Sequence, residues 1–162
     1  MKQNKGLTLI ELLIVIGIIA VLAAIIYVAI DPVRRLEEAR DAERWSSVNS
    51  ILNAVLKYAV DNGELPPTGA TIDNDWSTVQ VLGTGGVSCT AVECSGQTVV
   101  DTNCFTTGLD DDLVDEYIGE IPVDPQYGTT QNTQYYINKT QNGRIVVGAC
   151  QPERASSISV TR

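Results

Sequence analysis

Side chains able to do chemistry are few in this sequence, and they cluster by type. Histidine is absent from all 162 residues, which removes Ser-His-Asp and Cys-His catalysis and histidine-based zinc sites. Carboxylates and cysteines remain. Asp110, Asp111, Asp112 and Asp115 lie close together, followed by Glu116, and clustered carboxylates on a loop suit a hard cation such as calcium. Their spacing does not match an EF-hand loop. The competing reading is a short Asp-capped helix within 109–118, with Leu113, Val114, Tyr117 and Ile118 inward and the acids exposed. The helix is the preferred reading, so no cofactor is expected, with calcium as the alternative.

Cys89, Cys94, Cys104 and Cys150 are the four cysteines, an even number confined to the distal region. Outside a membrane they read as disulfides in an oxidising compartment. Cys89 and Cys94 have neither zinc-knuckle nor redox Cys-x-x-Cys spacing. Three pairings are open; the preferred one joins Cys89 to Cys94, closing a short loop, and Cys104 to Cys150, tying back the tail. On loop-closure entropy the second bond would stabilise by about 4 kcal/mol. Gly83-Thr84-Gly85-Gly86 resembles a phosphate loop only superficially, since no Lys-Ser/Thr follows, and reads as a turn.

One carboxylate stands apart. Glu11 is the only charged residue between Leu7 and Ile30 in an otherwise apolar run. At helical rise that run spans about 36 Å, against about 30 Å for a bilayer hydrocarbon core. It is too long for a secretory signal, and no small-x-small cleavage site follows it. A carboxylate inside a bilayer costs up to about 3 kcal/mol at mid-depth, less near the interface, so a partner for it is expected.

The stretch Lys5-Gly6-Leu7-Thr8-Leu9-Ile10-Glu11 ahead of a spanning run resembles the start of the type IV prepilin family, the bacterial pilins and pseudopilins. The resemblance implies a leader, residues 1–6, cut after Gly6 by a prepilin peptidase that also N-methylates the new first residue, Leu7. Phe is commoner than Leu at that place. Glu11 becomes the family's glutamate, whose counter-charge is the α-amino group of a neighbouring subunit. Gly17, Ala20, Ala23 and Ala24 would let helices pack closely in a filament core.

Residues 7–62 read as one long helix, with 7–30 as the transmembrane or filament-core half. Pro32 interrupts the ladder and kinks or loosens it. Beyond it Leu36, Trp45, Val48, Leu52, Val55, Leu56 and Ala59 recur at spacings of three and four, an amphipathic face. Between them Arg34, Arg35, Glu37, Glu38, Arg40, Asp41, Glu43 and Arg44 alternate in sign, either as a solvated face or as inter-subunit ion pairs. Asn62-Gly63 caps the helix, and Pro66-Pro67 forbids continuation.

Residues 63–162 read as one globular head, since so short a chain builds one modest core. Asp75 to Leu82 is a short helix or strand, and Thr98-Val99-Val100 a strand. Gln134 to Ile137 and Arg144 to Val147 flank Asn142-Gly143, a hairpin signal. The Pro122-Val123-Asp124-Pro125 turn resembles the C-terminal region of major pseudopilins and related pilins, with Gln126-Tyr127 where tryptophan is common. Asn138-Lys139-Thr140 fits a glycosylation sequon, and Gln151 to Arg162 reads as a loosely held polar tail. The expected fold is α+β, a long N-terminal helix packed on a small C-terminal antiparallel sheet.

Charge completes the picture. The net charge is −9, and loss of Lys2 and Lys5 with the leader makes it −11, which disfavours generic nucleic-acid binding. The expected function is structural, not enzymatic: a pilin held in the inner membrane with its head outside, then polymerised through its N-terminal helices into a surface filament. A type II secretion pseudopilin is the alternative, and a membrane-tethered binding or adhesion module the third. Partners implied are further copies, the peptidase and methylase, and a pilus or secretion assembly platform.

Overall fold

The computed structural model describes residues 6–66, 78–83, 94, 98–99 and 113–162. By contacts these fall into two compact units, one ending at Leu36 and the other spanning Glu37–Arg162. The first unit is dominated by helix α1, Leu9–Ile30. Its residues are apolar all round, and none of them is buried within the chain, the pattern of a segment made for lipid or for other copies rather than for its own core. Thr8 caps its start.

The interruption expected at Pro32 falls at Asp31, which adopts a left-handed conformation, φ 45°. Asp31 then begins helix α2, Pro32–Asn62. Its carboxylate accepts from the Arg34 N–H at 3.3 Å and its carbonyl from the Arg35 N–H at 3.3 Å. Pro32 is thus the first residue of α2, where its missing N–H costs no hydrogen bond and its fixed φ suits a helix start. The helix ends at Gly63, φ 76°, as Asn62-Gly63 indicated.

The second unit packs α2 against a sheet. Strands β1 (Thr78–Val81), β2 (Thr98–Val99), β3 (Tyr135–Lys139), β4 (Ile145–Ala149) and β5 (Ile158–Thr161) lie in the order β2-β1-β3-β4-β5. All neighbours are antiparallel except β2, which runs parallel to β1. The fold is α+β as expected. The β3–β4 hairpin turns through Thr140–Arg144, with Gly143 at φ 79° supplying the left-handed residue of a three-residue loop.

Period-two alternation sorts the sheet's side chains into two layers. Tyr135, Ile137, Ile145, Val147, Ala149 and Ile158 meet Val48, Ile51, Leu52 and Val55 of α2 in the main core. The opposite face carries Val79, Val81, Tyr136, Cys94 and Cys150. On that face the Tyr136 ring lies over its cross-strand partner Gly148, where any Cβ would collide with it. Glycine is required there by close approach rather than by backbone conformation.

One expectation about the head is corrected. Residues 151–162 are not a loose tail: β5 pairs with β4 from Val146↔Thr161 to Ala149↔Ile158, and Ile158 is buried. The alternation of Ile158 and Val160 with polar neighbours is a short strand signal that the tail's polar start obscures. Asn138, the first residue of the sequon, is 4% exposed within β3, and its side chain accepts from the Lys139 N–H at 2.6 Å.

Candidate functional site

The site is built at the head of α1. Thr8 is extended, φ −78° and ψ 154°, so its side chain can turn back to the helix it precedes. Glu11 lies three residues on, and the pair forms a capping box. The Thr8 N–H donates to Glu11 Oε2 at 2.8 Å, the Thr8 hydroxyl donates to the same oxygen at 2.6 Å, and the Glu11 N–H donates to Thr8 Oγ1 at 3.4 Å. Gly6 and Leu7 precede this box and are exposed, Leu7 at 75%. Glu11 lies four residues along the chain from Leu7, whose α-amino group a cut after Gly6 would free.

Beyond this head, α1 supplies the apolar length. It is long and apolar enough to cross a membrane by length and composition. Leu9, Leu12, Leu13, Ile16, Ile19 and Leu22 are all more than half exposed. Glu11 is the only charged side chain in the helix, so apolar surface surrounds it whether the helix meets lipid or other copies.

A second polar cluster lies within the Glu37–Arg162 unit, and it departs from both sequence readings of the alternating charges. Arg44 is fully buried. Its Nε and Nη2 donate to the buried Asp124 at 2.6 and 3.1 Å, and its Nη1 reaches Asp41 and Glu153, each at 2.9 Å. Arg40 adds a two-point contact to Glu153, 2.6 Å at each nitrogen. Asp41 also accepts the consecutive N–H groups of Glu153, Arg154 and Ala155 at 3.0, 2.7 and 2.9 Å. Asp124 accepts from the Gln126 and Tyr127 N–H groups, both at 2.9 Å, which shapes the Pro-x-Asp-Pro turn.

The cluster is thus an intramolecular pin joining α2 to the turn at 122–128 and to the segment leading into β5. Protonation follows the geometry. Burial opposes charge on Asp41, yet the amides of 153–155 and the Arg44 guanidinium outweigh it and hold its carboxyl down at about 2. The hydrogen bond from Arg40, against a smaller opposing effect of burial, lowers the Glu153 carboxyl. Burial pulls Arg44 down, but Asp124, Glu153 and Asp41 together raise it.

The periodicity that could have revealed the pin is present: Asp41, Arg44, Val48, Ile51 and Val55 share one buried stripe of α2 at spacings of three and four. Leu36 and Trp45, read as inward, are 59% and 40% exposed.

The other expected site residues lie elsewhere. Cys94 bonds to Cys150 across 56 residues, which overturns both Cys89–Cys94 and Cys104–Cys150. The physical reason is the sheet: Cys150 follows β4 and turns to the same apolar face as Cys94, beside Val79, Val81 and Tyr136. Cys89 and Cys104 lie outside the described residues. So do Asp110, Asp111 and Asp112. Asp115 is exposed, at φ 72°, and its N–H donates to the Ile118 carbonyl at 2.9 Å. Among the described residues no group of three or more metal-type side chains gathers. The described part of the expected 109–118 helix is a single turn, in which the Leu113 carbonyl accepts from both Tyr117 and Ile118 at 3.0 Å; Leu113 is buried inward and Glu116 exposed, as expected.

Residues 1–27 match the family model described as the prokaryotic N-terminal methylation motif. The chain carries the prepilin-type cleavage and methylation segment of type IV pilins and pseudopilins. That segment together with the apolar helix indicates membrane anchoring before assembly. No curated protein and no solved structure matches the chain.

Proposed function

We propose that this chain is a structural subunit that is cut after Gly6, held in the membrane by α1, and then polymerised through α1 into a type IV pilus-like surface filament. The observation that carries the reading is an apolar helix, unburied along its whole length, opening on a methylation motif with Glu11 as its only charge. A helix of this kind has two environments that satisfy it, the bilayer and a bundle of its own copies. Glu11 makes the exchange between them selective, because the amine of a neighbouring Leu7 neutralises it in one register only.

Electron microscopy of sheared surface material tests this. Wild-type cells give long fibres containing the chain. Glu11→Ala cells give a processed, membrane-held subunit and no fibres when it is the sole copy; wild-type fibre yield from Glu11→Ala would contradict the reading. The secretion pseudopilin is the second reading: the turn at Pro122-Val123-Asp124-Pro125, pinned to α2 through Arg44, resembles major pseudopilins and related pilins alike. Absence of long fibres together with a protein-secretion defect on deletion would favour it.

A further inference from the structure

The Glu37–Arg162 unit carries a groove of about 750 Å³ that neither polar cluster above accounts for. Glu43 and Ser47, one turn apart on α2, form one wall, and Asp115, Glu120, Ile121 and Pro122 form the other. Glu43, Asp115 and Glu120 are exposed, and among the described residues none of these carboxylates meets a cation. Unneutralised carboxylates set around half-buried apolar side chains suit a cation carried on an apolar stem.

A second observation points the same way. Tyr135 is fully buried, and its hydroxyl has no hydrogen-bond partner. That hydroxyl ends against Ser47, which approaches it without completing a bond. Buried hydroxyls are ordinarily satisfied, so this one requires a reason. A donor that enters the groove and bonds to Ser47 Oγ would turn the Ser47 proton toward the Tyr135 oxygen and satisfy it. The groove therefore calls for a cation rich in hydrogen-bond donors, which is a guanidinium.

The chain holds such a group on another surface. Between Asp124 and Glu153 the only charged residues are Lys139 and Arg144, which flank the β3–β4 turn. Arg144 is exposed, and among the described residues neither makes an ion pair. A head cannot bring this hairpin to its own groove. Tyr135, beside the groove, and Lys139 are opposite ends of β3, about 13 Å apart at strand rise, and the turn lies beyond Lys139.

We propose that the Arg144 hairpin of one subunit docks in the Glu43, Asp115 and Glu120 groove of the next. The inference rests on the polymerisation reading above and deepens it by naming a contact between heads. Groove and hairpin are different surfaces, so the contact is heterologous and repeats along a filament instead of closing a pair. The surface of α1 is apolar all round, so the orientation of the heads needs a directional contact of this kind.

Charge reversal in the full chain tests it. Glu43→Arg with Glu120→Arg makes the groove basic, and Arg144→Glu makes the hairpin acidic. Fibre yield per processed subunit is expected to fall at least about fivefold with either reversal and to return within about twofold of wild type when both are combined. Near-ultraviolet circular dichroism of the processed chain should be unchanged, since all three residues are exposed. Reversals that yield like wild type, or a combination no better than its parts, would overturn the proposal. A second readout locates the contact: in fibres carrying Glu120→Cys and Arg144→Cys together, a thiol-reactive bismaleimide should give a ladder of linked heads. No ladder, or the same ladder from either single variant, would also overturn it. Wild-type chain that is processed but never forms fibres brings down the polymerisation reading and this contact together. Normal wild-type fibres with indifferent reversals bring down the contact alone.

Discussion

Replacing Arg44 by methionine tests the pin between α2 and the C-terminal part of the head. The side chain is fully buried and makes contacts of 2.6, 3.1, 2.9 and 2.9 Å to Asp124, Asp41 and Glu153. Methionine fills much of the same volume, so the cavity contribution is small. What remains is a fully buried Asp124 carboxylate with two backbone donors and no counter-charge, beside Asp41 and Glu153. Removing one partner of a buried pair costs about 3–5 kcal/mol, most of it from the charge left behind. For a head of this size, at about 4 °C per kcal/mol, the melting temperature should fall by roughly 12–20 °C.

The assay is thermal unfolding of the processed chain in detergent, followed by near-ultraviolet circular dichroism, which reports the head's aromatic side chains. Arg44→Met combined with Asp124→Asn should recover part of the loss, because the stranded charge is gone; the double-mutant cycle then gives a coupling above about 1.5 kcal/mol. Arg44→Lys should lie between the extremes, since an ammonium cannot match a carboxylate at two points while reaching two others. A loss under about 1 kcal/mol for Arg44→Met, or an additive double variant, would refute the reasoning.

Three further outcomes follow from the same geometry. The Asp41 carboxyl is held below its ordinary value, at about 2, so its contribution, about 2 kcal/mol, is fully present above about pH 4 and lost as pH falls through about 2. Acid titration of stability in wild type should show that loss and Asp41→Asn should not; parallel curves would contradict it. Gly148→Ala places a methyl group against the Tyr136 ring and should cost about 1–3 kcal/mol, partly restored by Tyr136→Leu, as measured by the same melts. Peptide mapping without reduction should yield the Cys94–Cys150 cross-link, and its loss by double serine replacement should cost about 4 kcal/mol on loop-closure entropy; recovery of a Cys89–Cys94 peptide would contradict the fold around β4.

The legibility of this chain in its sequence varies with the range of the interactions. α1 was plain because an apolar run broken by a single glutamate has few physical meanings. The β3–β4 hairpin was plain because β-forming residues around Asn142-Gly143 act locally. The pin was not, because alternating signs from Arg34 to Arg44 look like a solvated face, and only the stripe through Asp41, Arg44, Val48 and Ile51 shows that two charges point inward. Trp45 shares the apolar spacing of three and four with Val48 and Leu52, yet it lies off that stripe and is 40% exposed. The disulfide depended on which sheet face Cys150 occupies, a long-range matter that cysteine spacing does not encode. Thr8 carries its signal openly, as the first residue of a Thr-x-x-Glu capping box.

The most direct test of the account is the mass of the intact subunit recovered from purified surface fibres. The account predicts a chain that begins at Leu7, lacks residues 1–6, and carries one added methyl group on its α-amine. Fibres built from subunits that retain Met1 would contradict it.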